Sequence, residues 1–358
     1  MKHPRPPCPP DWRGGPLSAI LSATPSVPHR RASGPVTFER SLTESRFAID
    51  LTPPDVTPYR HGNTGIDYVT TLDSGRSGPH VVINALTHGN EISGAIAVDA
   101  LFRLGLRPTR GRLTLALSNV AAYRSFDPDN PYASRYLDED FNRLWSAETL
   151  DGRRESVELR RARQLRPVFD AADLLLDLHS MTNDTAPLTL CGRTARGRDL
   201  ARRLGYPSWI VADEGHASGR RLLDYDGFAD PDGGRTALLV ECGQHWKAGT
   251  AEVAVETCLR FLLLADMVDP LLALPRLRKR TEPLRVVEVT QAVTAHTDSF
   301  AFARAFTGLE VLPYAGTLLG RDGDQPLFTP HDDCVLIMPA RRAKAGQTAV
   351  RLGRLVDG

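Results

Sequence analysis

The chain has 358 residues, enough for one large domain, a smaller one and a sizeable buried core. Its 44 lysines and arginines nearly balance 43 aspartates and glutamates, so the net charge of +1 gives no reason to expect nucleic acid or an acidic surface as a partner. The five cysteines form no CxxC pair, which argues against a cysteine-type zinc site and a disulfide framework and favours a cytoplasmic location.

The first 35 residues are rich in proline, glycine, serine and arginine. They bury too little apolar surface to offset the entropy cost of ordering, so we expect residues 1–35 to be a disordered arm. Prolines break the amphipathic pattern of a transit peptide, and the basic start lacks the apolar core of a secretory signal. The longest apolar run, residues 258–268, is interrupted by Arg260 and Asp266 and is too short to cross a membrane. No membrane partner is expected.

Residues 36–282 are predicted to form an α/β domain. Extended, turn-rich segments come first, followed by short β-branched runs that predict buried strands and by runs with apolar residues at helical spacing. The predicted strands are residues 80–86, 112–120, 174–180, 188–192, 208–213 and 236–243. The predicted helices are residues 91–105, 155–173, 195–204 and 250–268. This alternation favours an open, mostly parallel or mixed sheet with helices on both faces.

Residues 283–358 predict a small all-β domain. Short apolar runs alternate there with Gly, Pro and Asp turns, and no convincing helical pattern appears. Upstream, arginines cluster between Arg153 and Arg166 with Glu155 and Glu158 among them, which favours the solvated face of a helix over a nucleic-acid patch. Three further histidines could line the pocket or lie on the surface, and the surface is favoured for each, namely His216, His245 and His331.

Candidate metal ligands follow two of the predicted strands. His88 and Glu91 come directly after residues 80–86, and His179 ends residues 174–180. Open α/β sheets bind ligands beyond the carboxyl ends of their strands, so these side chains are expected at one edge. The HxxE spacing alone favours an ordinary surface pair, but a histidine at a second strand end favours a metal. Two histidines and a glutamate are a standard set for catalytic zinc, so one Zn²⁺ per chain is predicted.

Two carboxylates at strand ends are candidates for supporting roles. Glu241 ends an apolar strand, where partial desolvation raises the pKa of a carboxylate toward the range of a general base. An ordinary strand-end salt bridge is the alternative. Asp177 points the same way as His179 along its strand and could orient the imidazole, although a plain strand-end aspartate fits equally well.

The segment at residues 134–145 carries a cluster of hydrogen-bond donors. Arg135, Asn142 and Arg143 lie in an irregular stretch, and loops commonly carry function. A guanidinium is a natural bidentate partner of a carboxylate, and a second one can stabilise an oxyanion. Asp140 could hold one of the arginines. The alternative is that these arginines are ordinary exposed surface residues.

The motifs HGNE (88–91), SRYLDEDFNR (134–143), DLHSMT (177–182) and VECGQ (240–244) follow one another in this order. Together they resemble the succinylglutamate desuccinylase and aspartoacylase family, a branch of the zinc carboxypeptidase-like hydrolases. The resemblance extends over about residues 47–352 and includes the C-terminal β segment. It implies that His88, Glu91 and His179 bind zinc and that Glu241 is the general base and acid. It also implies that Arg135 polarises the scissile carbonyl and that Asn142 and Arg143 bind a substrate carboxylate.

The resemblance implies a zinc-dependent amidohydrolase, or deacylase, that cleaves a small N-acyl amino acid or related N-acyl amine into a carboxylate and a free amine. One alternative is a zinc carboxypeptidase, but the β domain of the family narrows the entrance to the active site and excludes long peptides. Another is a catalytically silent carboxylate-binding protein, which is expected to have lost a ligand or the base. The acyl group, the amine and a homo-oligomeric state stay open. Candidates for specificity are Arg220, Arg221, Arg235 and Tyr314.

Overall fold

The computed structural model describes residues 47–216 and 218–356, so the predicted arm at residues 1–35 lies outside the described residues. The strands within them are β1 (Val69–Asp73), β2 (His80–Ala85), β3 (Arg112–Leu117), β4 (Leu174–Met181), β5 (Leu188–Leu190), β6 (Trp209–Ala212), β7 (Thr236–Gln244), β8 (Arg285–Thr294), β9 (Ala301–Phe302), β10 (Val311–Leu312), β11 (Leu318–Asp322), β12 (Gln325–Phe328), β13 (Cys334–Ile337) and β14 (Thr348–Val356).

The α-helices of the same ranges are α1 (Ile92–Arg103), α2 (Val120–Tyr123), α3 (Ala147–Asp151), α4 (Val157–Asp170), α5 (Ala195–Leu204), α6 (Ala248–Leu264) and α7 (Pro270–Ala273). One-turn 3₁₀ helices lie at Thr57–Tyr59, Ala133–Arg135, Phe141–Arg143, Leu222–Asp224, Asp226–Phe228 and Leu274–Arg276. Even α6, the longest of the described helices, falls short of the length and apolar character needed to cross a bilayer.

The main sheet has 11 strands in the order β1-β3-β2-β4-β7-β5-β6-β8-β14-β13-β10. Its centre is parallel, because β3, β2, β4 and β7 pair side by side in the same direction. Strand β1 runs antiparallel to β3, and β5 runs antiparallel to β7. The predicted mixed, open α/β sheet is therefore confirmed.

Helices cover both faces of this sheet. Successive side chains of a strand point to opposite faces, so Val81 and Ile83 of β2 pack in one apolar core with α1 and α6. Val82, between them, packs in a second core with Leu165 and Phe169 of α4. Every residue of β2 is buried, as expected for a parallel strand covered on both sides.

The C-terminal strands extend the same sheet. Strand β8 pairs in parallel with β6 and antiparallel with β14, and β13 and β10 follow. Strands β12, β11 and β9 form a separate antiparallel sheet over a third apolar core. No described helix follows Arg276, as the sequence predicts. The pairings from β8 to β10 in this sheet are antiparallel, and the division into two domains at residue 282 stays a prediction.

The solvated face predicted for α4 is wrong for Glu158, whose side chain is fully buried. Its carboxylate accepts hydrogen bonds from the backbone N–H of Leu137 (2.7 Å) and Asp138 (3.0 Å), and from Nδ2 of Asn119 (3.1 Å). The segment at residues 134–143 has no sheet partner for these N–H groups, and a buried donor must find an acceptor. Glu158 therefore anchors the segment that carries the predicted arginines.

A buried histidine at the start of β2 makes the stability of the fold depend on pH. His80 donates from Nδ1 to the carbonyl of Ala171 (2.9 Å), and its Nε2 accepts from Oγ1 of Thr114 (2.7 Å). Burial lowers the pKa of His80 below its ordinary value. The unfolded chain therefore binds this proton more readily, and the stabilisation, complete above about pH 6.5, is lost as the pH falls.

We expect the free energy of unfolding, measured by urea denaturation, to decrease between pH 7 and pH 5 in the wild-type protein. The decrease should be smaller in His80→Gln, because this variant no longer has an imidazole to protonate there. His61→Gln, at an exposed position, is the matched control. Equal pH slopes in the two variants would contradict the assignment.

Candidate metal centre

The HGNE segment forms a tight turn between β2 and α1. Glu91 is the N-cap of α1, and Gly89 donates its N–H to the carbonyl of Arg135 (3.0 Å). A Cβ at Gly89 would lie 2.4 Å from the carbonyl oxygen of Ser134 and from the backbone of Ala122. The glycine is thus required by the close approach of two backbones, and the turn directs His88 and Glu91 to the same place.

The structure brings the three predicted metal ligands together. Nδ1 of His88 lies 2.7 Å from Oε1 of Glu91, and Nδ1 of His179 lies 3.0 Å from Oε2 of the same carboxylate. One ligand atom from each residue falls within 4.8 Å of the others, and all three side chains are buried. Although burial works in the opposite direction, the two histidines hold the pKa of Glu91 well below its usual range.

The far side of each imidazole faces an aspartate. Nε2 of His179 lies 2.8 Å from Oδ2 of Asp177, whose Oδ1 accepts hydrogen bonds from Asn84 (2.8 Å) and Thr87 (3.0 Å). An ionised aspartate can only accept, so it holds a proton on Nε2 and directs Nδ1 toward Glu91. This is the arrangement found around histidines that bind metals.

His88 is oriented by the segment at residues 134–143. Its Nε2 lies 3.0 Å from Oδ1 of Asp140 and 2.9 Å from Nη2 of Arg135. Asp140 also contacts Nη2 of Arg135 through Oδ2 (3.2 Å) and accepts the N–H of Asn142 (2.9 Å). The guanidinium of Arg135 thereby reaches the edge of the ligand cluster.

Asn142 and Arg143 lie next to this cluster, but much of their hydrogen-bonding capacity is used within the protein. Oδ1 of Asn142 accepts the N–H of Leu222 (2.8 Å). Arg143 donates from Nε to Oγ of Ser218 (3.1 Å) and from Nη1 to the carbonyl of Asn142 (2.7 Å). Burial, together with the neighbouring guanidinium groups, lowers the pKa of Arg143 to about 10. Among the described residues, Arg143 has no ion-pair partner.

Glu241 occupies the same edge of the sheet. It is the register partner of His179 in the parallel pair of β4 and β7. Its side chain is buried, and its Oε2 has no hydrogen-bond partner within the described residues. Burial, opposed by His179 and supported by the negative charge of Glu91, raises the pKa of Glu241 to about 8. A carboxylate in this setting can exchange a proton near neutral pH.

One of the three histidines expected at the surface lies inside the protein. His245 is 1% exposed, with Nδ1 2.8 Å from Oγ of Ser180, so its prediction was wrong. His216 is half-buried, and its Nε2 accepts from Nη2 of Arg351 (2.6 Å). The only sequence signals were the buried strand that ends just before His245 and the inward position of Arg351 in β14.

The four candidates for specificity lie in different surroundings. Arg221 forms ion pairs with Asp213 and Asp224, and Arg235 pairs with Asp226. Tyr314 is 73% exposed among the C-terminal strands. The remaining candidate, Arg220, lines a cleft close to Arg143.

Comparison with known proteins agrees with this geometry. A sequence model described as the succinylglutamate desuccinylase/aspartoacylase catalytic domain matches residues 77–245. A succinylglutamate desuccinylase of Paraburkholderia xenovorans (strain LB400) is 27% identical over 290 residues, covering 75% of this chain and 79% of that protein. The comparisons thus place residues 77–245 in the succinylglutamate desuccinylase and aspartoacylase family.

This family is one of deacylases. An aspartoacylase of Xenopus tropicalis is 31% identical over 114 residues, which cover 29% of this chain and 34% of that protein. The crystal structure of a succinylglutamate desuccinylase from Vibrio cholerae is 17% identical, with a TM-score of 0.61, and covers 82% of this chain and 86% of that one. The latter likeness shows that the fold is shared.

Asp177 provides a test of the metal centre that leaves the three ligands intact. Replacing Asp177 with Asn removes the charge that orients His179, so we expect the affinity for zinc to decrease by about 10- to 100-fold. Titration of the apoprotein with zinc in competition with a chelator measures this change. Asp184→Asn, at an exposed carboxylate, is the control. An unchanged affinity in Asp177→Asn would exclude the orienting role.

Proposed function

We propose that this deacylase is a zinc-dependent amidohydrolase that cleaves a small N-acyl amino acid or a related N-acyl amine, releasing a carboxylate and a free amine. The observation that carries the proposal is the buried Oε2 of Glu241, which has no hydrogen-bond partner among the described residues, beside the cluster of His88, Glu91 and His179. The names of the relatives, desuccinylase and aspartoacylase, support a small acylated amino acid as the substrate.

In this proposal zinc is held by Nδ1 of His88, Nδ1 of His179 and the carboxylate of Glu91. Two nitrogens and one oxygen, buried and oriented by aspartates, match the donor set of catalytic zinc. A zinc ion bound there would lower the pKa of a water molecule and polarise a carbonyl group.

Glu241 is the proposed base and acid. It would take a proton from the attacking water through Oε2, the oxygen without a partner, and return it to the nitrogen of the leaving amine. Its place opposite His179 on the neighbouring strand puts this proton transfer at the ligand cluster. One carboxylate can perform both transfers because each one restores the charge state needed for the other.

The segment at residues 134–143 supplies the proposed substrate contacts. Arg135 would donate to the carbonyl oxygen of the scissile amide as negative charge develops on it. Arg143 would bind a substrate carboxylate, since a guanidinium offers paired donors. Asn142 would contribute its amide nitrogen, because its oxygen already accepts from Leu222. The cytoplasmic location and the absence of nucleic-acid and membrane partners stay predictions.

The role of Glu241 can be separated from metal binding. Glu241→Gln keeps the size of the side chain but cannot take a proton, so we expect kcat to decrease by about 10²- to 10⁴-fold. The zinc content should stay that of the wild-type protein. Turnover is measured as free amine released by zinc-loaded protein, and metal by elemental analysis. Glu252→Gln, at an exposed site, is the control. Near-normal turnover of Glu241→Gln would refute the assignment.

The choice of substrate distinguishes an amidohydrolase from a peptidase. Arg351 of β14 contacts His216, and the nearby Ser218 contacts Arg143, so a C-terminal strand lies close to the proposed carboxylate-binding group. We therefore expect N-acetyl, N-succinyl or N-formyl amino acids to exceed a tetrapeptide in kcat/KM by at least about tenfold. Faster hydrolysis of the tetrapeptide would support a carboxypeptidase instead. Protein that holds less than a third of an equivalent of zinc and gains none on addition would support a silent binding protein.

A further inference from the structure

The end of β7 carries an extra residue next to the ligand cluster. In the parallel pair of β4 and β7, His179 is the register partner of Glu241, whereas Met181 is the partner of Gln244. Two steps along β4 thus correspond to three along β7, which is a β-bulge, and Gly243 within it has a φ of +126° that glycine adopts readily. A bulge bends its strand and redirects the side chains that follow it. Such bulges are frequent next to active sites, and this one lies beside a candidate metal ligand.

His245 comes just after this bulge and contacts three consecutive residues around the end of β4. Its backbone N–H donates to the carbonyl of Met181 at 2.9 Å. Nδ1 of its imidazole lies 2.8 Å from Oγ of Ser180, and Nε2 lies 3.3 Å from Oγ1 of Thr182. The side chain is 1% exposed. A buried histidine is therefore hydrogen-bonded to the residues that come directly after His179.

The imidazole of His245 has a fixed orientation. Burial, the largest cause, lowers the pKa of His245 to about 3, so the ring is neutral at physiological pH. A neutral imidazole donates through one nitrogen and accepts through the other, and a hydroxyl group can do either, so both contacts form hydrogen bonds. The ring also packs on Trp246, with 5.4 Å between the ring centroids. Trp246 donates from Nε1 to the carbonyl of Asn90 at 3.1 Å, so the ring is held between β4 and the HGNE turn.

Ser180 connects His245 to a candidate metal ligand. Its hydroxyl group contacts His245, while its N–H donates to Oε2 of Glu91 at 3.1 Å. Among the described strands, neither β2 nor β7 gives Ser180 a register partner, because the pairing with β2 ends at Asp177 and the bulge interrupts the pairing with β7. Pairing within the described sheet therefore does not set the direction of this N–H group, and the contact between the side chains of Ser180 and His245 fixes it.

The N–H of Ser180 differs in kind from the other contacts of Glu91. Nδ1 of His88 and Nδ1 of His179 are themselves candidate ligand atoms, which a zinc ion would bind. An N–H group cannot bind a cation, so its hydrogen bond would remain with zinc present. Arg135 approaches the other carboxylate oxygen, Oε1, at 3.5 Å. Each imidazole is oriented by an aspartate, and Ser180 is the corresponding group for the carboxylate, since carboxylates that bind metals are also held by hydrogen bonds.

We propose that His245 is a positioning residue of the metal centre. It fixes Ser180, and the N–H of Ser180 then holds Glu91 in the orientation that zinc binding requires. His245 itself is not one of the three candidate ligands, which are His88, Glu91 and His179. This inference rests on the proposed function, because Glu91 is a ligand only in a protein that binds zinc.

Two variants of His245 separate its two hydrogen bonds. Asparagine places its amide near the position of Nδ1 and can still contact Ser180, whereas glutamine places its amide near the position of Nε2 and reaches Thr182. We expect His245→Gln to lower the affinity for zinc by about 10- to 100-fold, and His245→Asn to keep that of the wild-type protein. Titration of the apoprotein with zinc in competition with a chelator measures both. Equal affinity in the wild-type protein and His245→Gln, or an equal loss in both variants, would overturn the proposal.

Ser180→Ala tests the connection without changing the histidine. The backbone N–H stays, but the hydroxyl group that contacts His245 is lost, so the affinity for zinc should decrease about as much as in His245→Gln. Because both substitutions break one connection, the double variant should lose no more affinity than either single variant. Losses that add up in the double variant would show independent effects and would overturn the connection. His296→Gln, the same substitution at an exposed histidine, is the control and should bind zinc normally.

The geometry of the metal centre gives a readout that a purely structural role would not change. Cobalt(II) in place of zinc absorbs visible light in a way that depends on the ligand geometry, so its bands report the orientation of Glu91. We expect shifted bands in His245→Gln and Ser180→Ala, and wild-type bands in His245→Asn and His296→Gln. Bands that are the same in all of these proteins would contradict the positioning role.

Failure of the proposed function would give a different result. A wild-type protein that binds neither zinc nor cobalt would refute the zinc centre and this inference with it. A wild-type protein that binds zinc, with an equal affinity in His245→Gln, would refute only the positioning role. If circular dichroism shows that His245→Gln does not fold, Ser180→Ala decides alone: a lower affinity for zinc supports the connection, and wild-type affinity refutes it.

Discussion

The buried carboxylate of Glu91 is the interaction on which the rest of the centre depends. It is 2% exposed, and a charge removed from water in this way is costly unless its neighbours compensate it. Nδ1 of His88, Nδ1 of His179 and the backbone N–H of Ser180 all approach its two oxygens within 3.1 Å. These partners come from the turn after β2 and from the end of β4, so one carboxylate joins two neighbouring strands to the start of α1.

The polar groups around Glu91 are subject to the same requirement, namely that a buried polar or charged group needs hydrogen-bond partners. Asp177 accepts from His179 and is held by Asn84, which in turn accepts from Ser118 at the end of β3. On the other side, Asp140 fixes His88, and the segment that carries Asp140 is anchored by the buried Glu158 of α4. Because each acceptor is itself fixed by donors from a different element, the fold sets the positions of the three candidate ligands.

Much of this could be predicted from the sequence, because strand and helix periodicity are local properties. The carboxyl ends of parallel strands lie at one edge of a sheet, and this rule alone predicts that His88, His179 and Glu241 lie close together. Glu158 could not be predicted in the same way. Its arginine-rich surroundings resemble a solvated helix face, and only the packing of α4 against residues 134–143 shows that its carboxylate is needed inside.

The contact between His216 and Arg351 was beyond sequence reasoning for a different reason. The two residues are 135 positions apart, and they meet because β8 joins the parallel sheet at β6 and brings β14 back beside the site. No local pattern encodes such a crossing. An arginine between the apolar residues Val350 and Leu352 of β14 was the only hint, and its partner could not be named.

The net charge of +1 conceals a separation of charge across the site. Carboxylates dominate around the ligand cluster, where Glu91, Asp177 and Glu241 converge, whereas guanidinium groups dominate beyond Arg143. A small acylated amino acid has the complementary polarity, with an uncharged amide at one end and a carboxylate at the other. The reverse orientation of this substrate would place its carboxylate against Glu241 and leave Arg143 without an anion. Electrostatics alone therefore favours the orientation in which the amide lies at the metal ligands.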